Sequence, residues 1–443
     1  MLIRFALENF MALAGRVQLE LRPPAGADAA GSSTVALPDG SLGLSRALLV
    51  GDNAAGKTAV LKGLGLLRTL VLAGTRSGQP VPLQPNRHLP IEQPTTFELQ
   101  VLHGGALWTY GLTIGRELVE SESLHLSTGT QGPVEVFTRA RLSPLIPSTS
   151  IKLGPAAAAE RERLQLFASA TRAEQPFLAE ALRRGATVLA PLGVWLRERL
   201  QLVRAEAKVV GLAARCAREP AFARFLSELL AAAGTGISEI GTTHARVDPD
   251  YFETEQEKQQ VVAALTGYAD GFVQTDDGEI IAERDGRFVD LYKVQLRLSE
   301  RGPGGGTAYV PLSELSDGVL RLMHLAPVLY PGAATAGPPS FFVDELDRSL
   351  HPRVAREILA RFAAATPVPS SAASDLHGPA QLIATTHDAA LLTAVAPCEV
   401  RVIGRSRGAD SPSRIGPPPA GLRGEELAAR FIAGTLIPAD AIS

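Results

Sequence analysis

The chain has 443 residues, of which 45% are hydrophobic and 20% charged, and its formal net charge is −3 at pH 7. This is the composition of an ordinary folded protein of two or three domains, without a global charge that would attract nucleic acid or a membrane surface. Cys216 and Cys398 lie far apart without metal-type spacing, which indicates a reducing compartment. No apolar run approaches the ~20 residues of a membrane-spanning helix, and no secretory signal is evident, so we expect a cytoplasmic protein without membrane contact.

The first 150 residues predict mainly strands. Residues 23–43 are rich in Gly, Ala, Pro and Ser and predict a loop, and the turn His103-Gly104-Gly105 predicts a hairpin. The predicted strands are residues 2–9, 17–21, 46–50, 95–102, 107–114 and 118–125.

A Gly-rich segment lies between the predicted strand 46–50 and a predicted helix over 59–72. Residues 51–58, the phosphate loop, have the spelling G-x-x-x-x-G-K-[ST] in the strand–loop–helix context that this motif requires. Its glycines let backbone N–H groups point inward at a polyphosphate, and the helix that begins at Lys57 adds its positive dipole. Lys57 is predicted to reach the β- and γ-phosphates and Thr58 to hold Mg²⁺. The residues predicted to bind the nucleotide here are Gly51, Asp52, Asn53, Ala54, Ala55, Gly56, Lys57, Thr58 and Ala59.

The middle of the chain has a different character. Helical spacing predominates over 156–182, 188–202 and 220–233, and a hairpin is predicted between 272–282 and 287–298. Between residues 160 and 224 there are 12 basic and 7 acidic residues. This excess indicates either a surface for nucleic acid or a partner, or the solvated face of amphipathic helices.

A second candidate site follows a short apolar strand at residues 340–343. Asp344 and Glu345 come directly after this strand, at the carboxyl end where open α/β sheets bind ligands. We expect Asp344 to hold Mg²⁺ together with Thr58. Glu345 is predicted to orient the attacking water and take its proton, as a catalytic base.

Two further motifs flank this acidic strand. Leu315-Ser316-Asp317-Gly318-Val319, the signature segment, precedes a helix predicted over 320–329, and indicates either an anion-binding helix terminus or an ordinary N-cap. The segment 381–388 predicts a strand that ends in His387, and this histidine is either structural or placed to contact a γ-phosphate.

The order of these motifs resembles that of the ABC-type ATPase superfamily, and within it the SMC/RecF-like branch. The chain is most similar to bacterial AAA-domain ATPases related to the overcoming-lysogenization-defect proteins and to antiphage abortive-infection ATPases. This resemblance covers the two end segments well and the middle loosely. It rests on Leu2-Ile3-Arg4-Phe5 with Glu8-Asn9-Phe10, on Val343-Asp344-Glu345-Leu346-Asp347-Arg348-Ser349-Leu350-His351-Pro352, and on Thr385-Thr386-His387-Asp388.

The resemblance implies an α/β fold: an ABC-type P-loop NTPase with a mixed-sheet head and an inserted, mainly helical subdomain. The expected domains are an N-terminal ATPase lobe at 1–150, an inserted arm with a hairpin at 151–305, and a C-terminal ATPase lobe at 306–443. The expected cofactors are ATP and Mg²⁺.

The resemblance also implies a head-to-tail homodimer, or a larger assembly built on it. Ser316, Asp317 and Gly318 of one copy would close over the ATP held by Lys57 of the other. His387 would be the switch histidine, and Asp347 would lie at the dimer seam and contribute to the nucleotide site.

The chain departs from the family pattern at two points. Asp317 stands where transporters usually have Gly, which puts a negative charge near the phosphates. His351 replaces the usual seam aspartate, a variant that suits the defence-ATPase branch. The glutamine that normally senses Mg²⁺ has two candidates, Gln84 and Gln93.

Several classes of NTPase are disfavoured. Lys57 and Ser316 are 259 positions apart, too far for a compact transporter motor, and no N-K-x-D motif indicates a GTPase. A hexameric AAA+ machine would have its acidic strand closer to the phosphate loop. Only 56 residues follow His387, too few for a fused nuclease domain.

Two roles remain open. The first is the sensor ATPase of an antiphage defence system that acts with a separately encoded effector, which the near-neutral charge favours. The second is a DNA-repair ATPase of the RecF type that binds DNA directly, so contact with nucleic acid stays open. A scaffold that binds ATP without hydrolysing it is a weaker third reading, and Glu345 argues against it.

Overall fold

The computed structural model describes most of the chain. It divides into two compact units: the first comprises Met1–Arg204, Ala333–Asp347 and Pro352–Ser443, and the second comprises Ala205–Gly332 and Arg348–His351. The described residues are 1–27, 32–130, 132–143, 146–206, 210–266, 271–276, 278–285, 288–302, 306–330, 338–364, 380–405 and 413–439.

Strands of the first unit form the two large sheets, and strands of the second form a smaller one. In chain order the strands are β1 (Leu2–Glu8), β2 (Val17–Glu20), β3 (Thr34–Ala36), β4 (Leu42–Leu44), β5 (Arg46–Gly51), β6 (Thr95–His103), β7 (Ala106–Ile114), β8 (Val119–Ser127), β9 (Val134–Ser143), β10 (Ile146–Leu153), β11 (Leu200–Val203), β12 (Ile237–Arg246), β13 (Phe272–Thr275), β14 (Gly278–Asp285), β15 (Phe288–Arg301), β16 (Thr307–Val310), β17 (Ser340–Val343), β18 (Gln381–Thr385), β19 (Val400–Arg405) and β20 (Ser413–Gly416).

Helices occur in both units. The α-helices are α1 (Lys57–Leu72), α2 (Arg161–Ser169), α3 (Phe177–Arg183), α4 (Ala190–Val194), α5 (Leu212–Arg218), α6 (Pro220–Ala232), α7 (Glu255–Thr266), α8 (Asp317–Leu329), α9 (Pro352–Ala364) and α10 (Gly424–Ile432). A π-turn at Trp195–Arg199 and short 3₁₀ turns at Pro155–Glu160, Pro249–Tyr251, Leu312–Glu314, Ala389–Ala394 and Pro397–Glu399 connect other elements.

The mainly parallel sheet of the first unit carries the carboxyl-terminal edge on which the site is built. Its order is β11-β17-β18-β5-β19-β20, with only β20 antiparallel to its neighbour. Every residue of β5, β17 and β18 is buried, as expected for parallel strands covered on both faces. The register places Val203 beside Val343 and Val343 beside Ala384. Strands β11 and β17 therefore end level with each other, and β18 continues one residue further, to Thr385.

The second sheet of the first unit is antiparallel, in the order β10-β9-β8-β7-β6-β1-β2. Alternating burial along β6 and β7 matches one face packed on the core and one turned away from it. Gln381 ties this sheet to the parallel one, because its side chain exchanges hydrogen bonds with the backbone of Leu2 at 2.7 and 2.8 Å and also donates to Leu44 O. Both sheets thus share one buried core.

A buried polar cluster lies on the antiparallel sheet. The Glu122 carboxylate accepts the Tyr110 hydroxyl (2.9 Å) and the backbone N–H groups of Phe177 (2.7 Å) and Leu178 (2.9 Å) at the start of α3. Arg139 Nη1 lies 3.7 Å from Glu122, and neither side chain is exposed. Burial raises the pKa of Glu122, while Arg139 and the two amides partly offset that rise. The cluster fixes α3 against the sheet.

The second unit is built on a five-stranded antiparallel sheet. Its order is β12-β15-β14-β13, and β16 also pairs with β15. Glu279 of β14 accepts the backbone N–H groups of Gly211 and Ala214, both at 2.7 Å, and so caps α5. Phe222 of α6 packs edge-on against Tyr330, with ring centroids 5.0 Å apart.

The predicted strands and the hairpin at residues 103–105 in the first 125 residues are confirmed, whereas β3, β4, β9 and β10 were not predicted. The helix expected over 188–202 was wrong at its end, because Leu200–Val203 forms strand β11 beside β17. The helix expected over 156–182 is broken into a 3₁₀ turn, α2 and α3, and Pro176 precedes the last of these.

Residues 151–305 contain more strand than the sequence predicted. The structure has β12 there, and the single strand expected over 272–282 is instead the two strands of a hairpin, β13 and β14. The strands β14 and β15 pair as expected, but residue 286 of the predicted turn lies outside the described residues. Strand β12 carries mainly polar residues after Ile240, so local periodicity was a weak guide to it. The domain boundaries at 150 and 305 stay predictions.

Candidate nucleotide-binding site

The phosphate loop joins the buried strand β5 to helix α1, as the motif requires. A Cβ atom at Gly51 would overlap the carbonyl oxygen of Ile403, and one at Gly56, where φ is +113°, would lie 2.5 Å from Leu13 Cδ2. Ala54 also adopts a left-handed conformation, with φ +62°. Such a conformation costs a non-glycine residue about 1 kcal/mol or more. The curled shape of the loop is therefore locally unfavourable at Ala54 and is held by the surrounding structure.

Lys57 lies inside the loop. Its Nζ donates to the carbonyl oxygens of Gly51 (2.6 Å) and Asp52 (3.1 Å), and the side chain is 5% exposed. Burial lowers the pKa of Lys57, and the charges of nearby carboxylates act in the opposite direction. The carboxylates that act on it are Asp344, Asp52, Glu345 and Asp347. The structure therefore brings the phosphate-loop lysine and the acidic motif into one electrostatic site.

The acidic pair follows β17 at the same sheet edge. Asp344 is 3% exposed, and its backbone N–H donates to Val203 O at 2.8 Å. The Thr385 hydroxyl lies 2.7 Å from Asp344 Oδ1 and 2.8 Å from the backbone nitrogen of Glu345. Glu345, the predicted catalytic base, is partly buried. Its φ of +47° is left-handed, so the chain turns sharply at this residue.

His387 lies two residues beyond the end of β18 and is exposed. Its backbone N–H donates to the carboxylate of Asp347, 3.2 Å from Oδ1 and 3.4 Å from Oδ2. Asp388 then accepts the N–H of Ala390 at 2.8 Å and begins the turn Ala389–Ala394. The predicted switch histidine and the predicted seam aspartate are thus neighbours.

The signature segment belongs to the second unit. Ser316 is the N-cap of α8, and its Oγ accepts the N–H of Val319 at 3.4 Å. The ordinary capping role is therefore present. Ser316 and Asp317 are exposed, and a Cβ at Gly318 would lie 2.9 Å from the carbonyl oxygen of Ser349. Small size at position 318 is accordingly a packing requirement.

Both candidate glutamines lie in a loop whose backbone is hydrogen-bonded to Asn9 and Met11. The Met11 N–H donates to Gln84 O at 2.7 Å, and Asn9 Nδ2 donates to Gln93 O at 2.8 Å. Asn9 Oδ1 accepts the N–H of Asn86 at 2.9 Å, and Asn9 itself is buried with φ +53°. In the sequence, Asn9 was noted only as part of the resemblance to a known family. In the structure, its side chain holds this loop by hydrogen bonds to the loop backbone.

Strand β11 is the element of the site that the sequence missed. The carbonyl of its last residue, Val203, receives the Asp344 amide. The alternation in Leu200-Gln201-Leu202-Val203 was a signal for it, but four residues are too few to separate a strand from the end of a helix.

The donor set fits a magnesium–nucleotide complex. Asp344 offers a carboxylate and Thr58 a hydroxyl, which are hard oxygen ligands. Within the described ranges, no group of three or more His, Cys, Asp or Glu side chains forms a metal cage. Mg²⁺ usually takes only one or two carboxylates and completes its shell with phosphate and water, so this sparse set is suitable.

A protein-family model described as "AAA domain, putative AbiEii toxin, Type IV TA system" matches residues 46–393. That range runs from the start of β5 past His387 and covers most of the chain. The chain belongs to this AAA-domain family. The predicted relation to abortive-infection ATPases is thereby confirmed, and the sheet topology confirms an α/β fold that carries the phosphate loop between β5 and α1. No curated protein matches the chain.

Solved structures that match include an SMC head domain and RecF. The SMC head domain from Thermotoga maritima is 15% identical, with a TM-score of 0.34 over 94% of this chain and 98% of that one. The recombination mediator protein RecF of the RecFOR pathway matches as RecF-ATPrS (11%, TM-score 0.34, 91% and 95% covered) and as RecF-ATP (13%, 0.30, 94% and 95%). In the part of the chain that the structure describes, no helix has the length and apolarity to span a membrane.

Proposed function

We propose that this AAA-family protein binds ATP with Mg²⁺ and hydrolyses it to ADP and phosphate. The observation that carries the proposal is the joint placement of Lys57, Asp344 and Glu345. The lysine lies buried on the carbonyls of its own loop, and the two carboxylates of the acidic motif act on its charge. A phosphate-binding cation beside a metal-binding acid and a candidate base is the arrangement that phosphoryl transfer to water needs.

The residues of the chain divide the work between binding and chemistry. Backbone N–H groups of residues 51–58 and Lys57 would hold the β- and γ-phosphates. Asp344 and Thr58 would hold Mg²⁺, which when bound neutralises charge on the phosphate oxygens. Glu345 would accept the proton of the attacking water. His387, whose backbone is fixed by Asp347, would contact the γ-phosphate.

We further propose that the site is completed by a second copy of the chain. Ser316, Asp317 and Gly318 would approach the ATP held by Lys57 of the partner copy in a head-to-tail dimer. The exposure of Ser316 and Asp317 at the start of α8 supports this, because an anion at a helix N-terminus is stabilised there. Asp317 would weaken that attraction and slow closure.

The biological role that we propose is that of a cytoplasmic sensor ATPase in an antiphage defence system, acting with a separately encoded effector. The family description, which names a putative AbiEii toxin and a type IV toxin–antitoxin system, supports the link to abortive infection. The basic excess between residues 160 and 224 gives less support to direct DNA binding than its count suggested. Five of its arginines form ion pairs: Arg163 with Glu160, Arg172 with Glu174, Arg183 and Arg184 with Glu180, and Arg215 with Glu219.

The experiment is steady-state phosphate release by wild type and by Glu345→Gln. Glu345→Gln should retain ATP binding, lose turnover, and shift the protein toward dimers when ATP is present, because water activation is lost while binding survives. Unchanged turnover and oligomeric state in this variant would refute the assignment of Glu345. DNA binding with a steep salt dependence in the purified protein would favour the repair role instead.

A further inference from the structure

The buried hydroxyl of Thr385 joins the two acidic residues of the site. Thr385 is fully buried, and its Oγ1 lies 2.7 Å from Asp344 Oδ1 and 2.8 Å from the backbone nitrogen of Glu345. A threonine hydroxyl has one proton to donate. Because the Glu345 N–H is itself a donor, that proton goes to the Asp344 carboxylate. The hydroxyl is thus an acceptor on one side and a donor to a carboxylate on the other.

The backbone of Thr385 holds the same turn. Its carbonyl oxygen accepts the N–H of Leu346 at 2.9 Å. Between the two bonds lies Glu345 at φ +47°, a conformation that costs a non-glycine residue about 1–3 kcal/mol. Thr385 of β18 therefore makes hydrogen bonds to both sides of the left-handed turn at the end of β17. Without the hydroxyl, the Glu345 amide would lose this hydrogen bond.

We propose that Thr385 is a positioning residue for ATP hydrolysis, which orients the Asp344 carboxylate for Mg²⁺ and the Glu345 backbone for water activation. The inference rests on the proposed function. Groups that hydrogen-bond to a metal-binding carboxylate fix its direction, and their loss typically costs about 10–100-fold in metal affinity or activity. Threonine suits the task because its methyl group fills the core while its hydroxyl makes both bonds.

The test compares Thr385→Val, which keeps the shape and removes the hydroxyl, with Thr385→Ser, which keeps the hydroxyl. Ser45→Ala is the matched control: it also removes a buried hydroxyl, bonded to Ser33 O at 3.1 Å, but it lies just before β5 at the opposite end of the parallel sheet. Thr385→Ala replaces the valine variant if that variant does not fold. Two readouts are needed, namely Mn²⁺ binding to the complex with a non-hydrolysable ATP analogue, followed by electron paramagnetic resonance, and kcat against Mg²⁺ concentration.

Thr385→Val should weaken Mn²⁺ binding and lower kcat by about 10–100-fold, with nucleotide affinity in EDTA within about 3-fold of wild type. Thr385→Ser and Ser45→Ala should stay close to wild type in both readouts. Thr385→Val with wild-type Mn²⁺ affinity and kcat would overturn this inference alone, and so would equal losses in Thr385→Val and Ser45→Ala. Wild-type protein that binds no nucleotide would instead overturn the proposed function, and this inference with it.

Discussion

The Asp347 carboxylate accepts the backbone N–H of His387, 3.2 Å from Oδ1 and 3.4 Å from Oδ2. This bond joins the loop after the acidic strand to the end of the neighbouring strand. Asp347→Ala should lower kcat for ATP more than it raises KM, because the loop that presents His387 loses its anchor while the bonds of Lys57 to Gly51 O and Asp52 O remain. Asp347→Asn keeps a carbonyl oxygen as acceptor and should recover most of the rate. Equal kcat in wild type and the alanine variant would contradict this role.

Lys57→Ala should abolish ATP binding measured by equilibrium titration. The ammonium group is the one cation of the phosphate loop, and its bonds to Gly51 O and Asp52 O hold it where phosphates would bind. Lys62→Ala is the matched control, because Lys62 lies on the same helix α1 and is exposed. The control should bind ATP as wild type does. If both variants bind equally well, the nucleotide lies elsewhere.

Glu122→Ala should destabilise the first unit by about 3–5 kcal/mol, because it leaves buried Arg139 without its carboxylate and three donors unpaired. Glu120→Ala should cost no more than about 1 kcal/mol, since Glu120 pairs with Arg141 in a partly exposed position. Denaturant unfolding of both variants measures the difference. Similar midpoints would show that the buried cluster contributes little.

The unfolding free energy should depend on His324 below pH 6.5. Burial, with a contribution from Arg321, lowers the pKa of His324 from 6.5 to about 4. Between these values the unfolded chain binds a proton that the folded chain does not, so the stabilising contribution is complete above pH 6.5 and is lost as the pH falls toward 4. Wild type should lose on the order of 1–2 kcal/mol more than His324→Gln between pH 7.5 and 5. Parallel losses in the two proteins would rule this out.

The sequence predicted the parts of the site that are local in the chain. The phosphate loop requires a fixed residue pattern between one strand and one helix, and the acidic pair directly follows an apolar strand. Both motifs could therefore be recognised from consecutive residues. The strands around His103 alternate regularly and were equally clear.

Features that depend on distant partners were not accessible from the sequence. Nothing near Leu200–Val203 indicates that β17 lies beside it, and nothing near Glu122 indicates that it caps α3. The Thr385 hydroxyl bonds to Glu345 and Asp344, which lie 40 and 41 positions away, so the sequence around Thr385 did not indicate either bond. Such contacts are fixed by tertiary packing, which periodicity does not report.

The central claim is that phosphate loop and signature segment meet from different copies of the chain, and subunit mixing tests it most directly. Lys57→Ala and Ser316→Arg should each be inactive alone. In a head-to-tail dimer of one copy of each, one site combines the intact Lys57 of one chain with the intact Ser316 of the other. An equimolar mixture should then recover about a quarter of wild-type phosphate release, if subunits exchange randomly. A mixture no more active than its two components would contradict the claim.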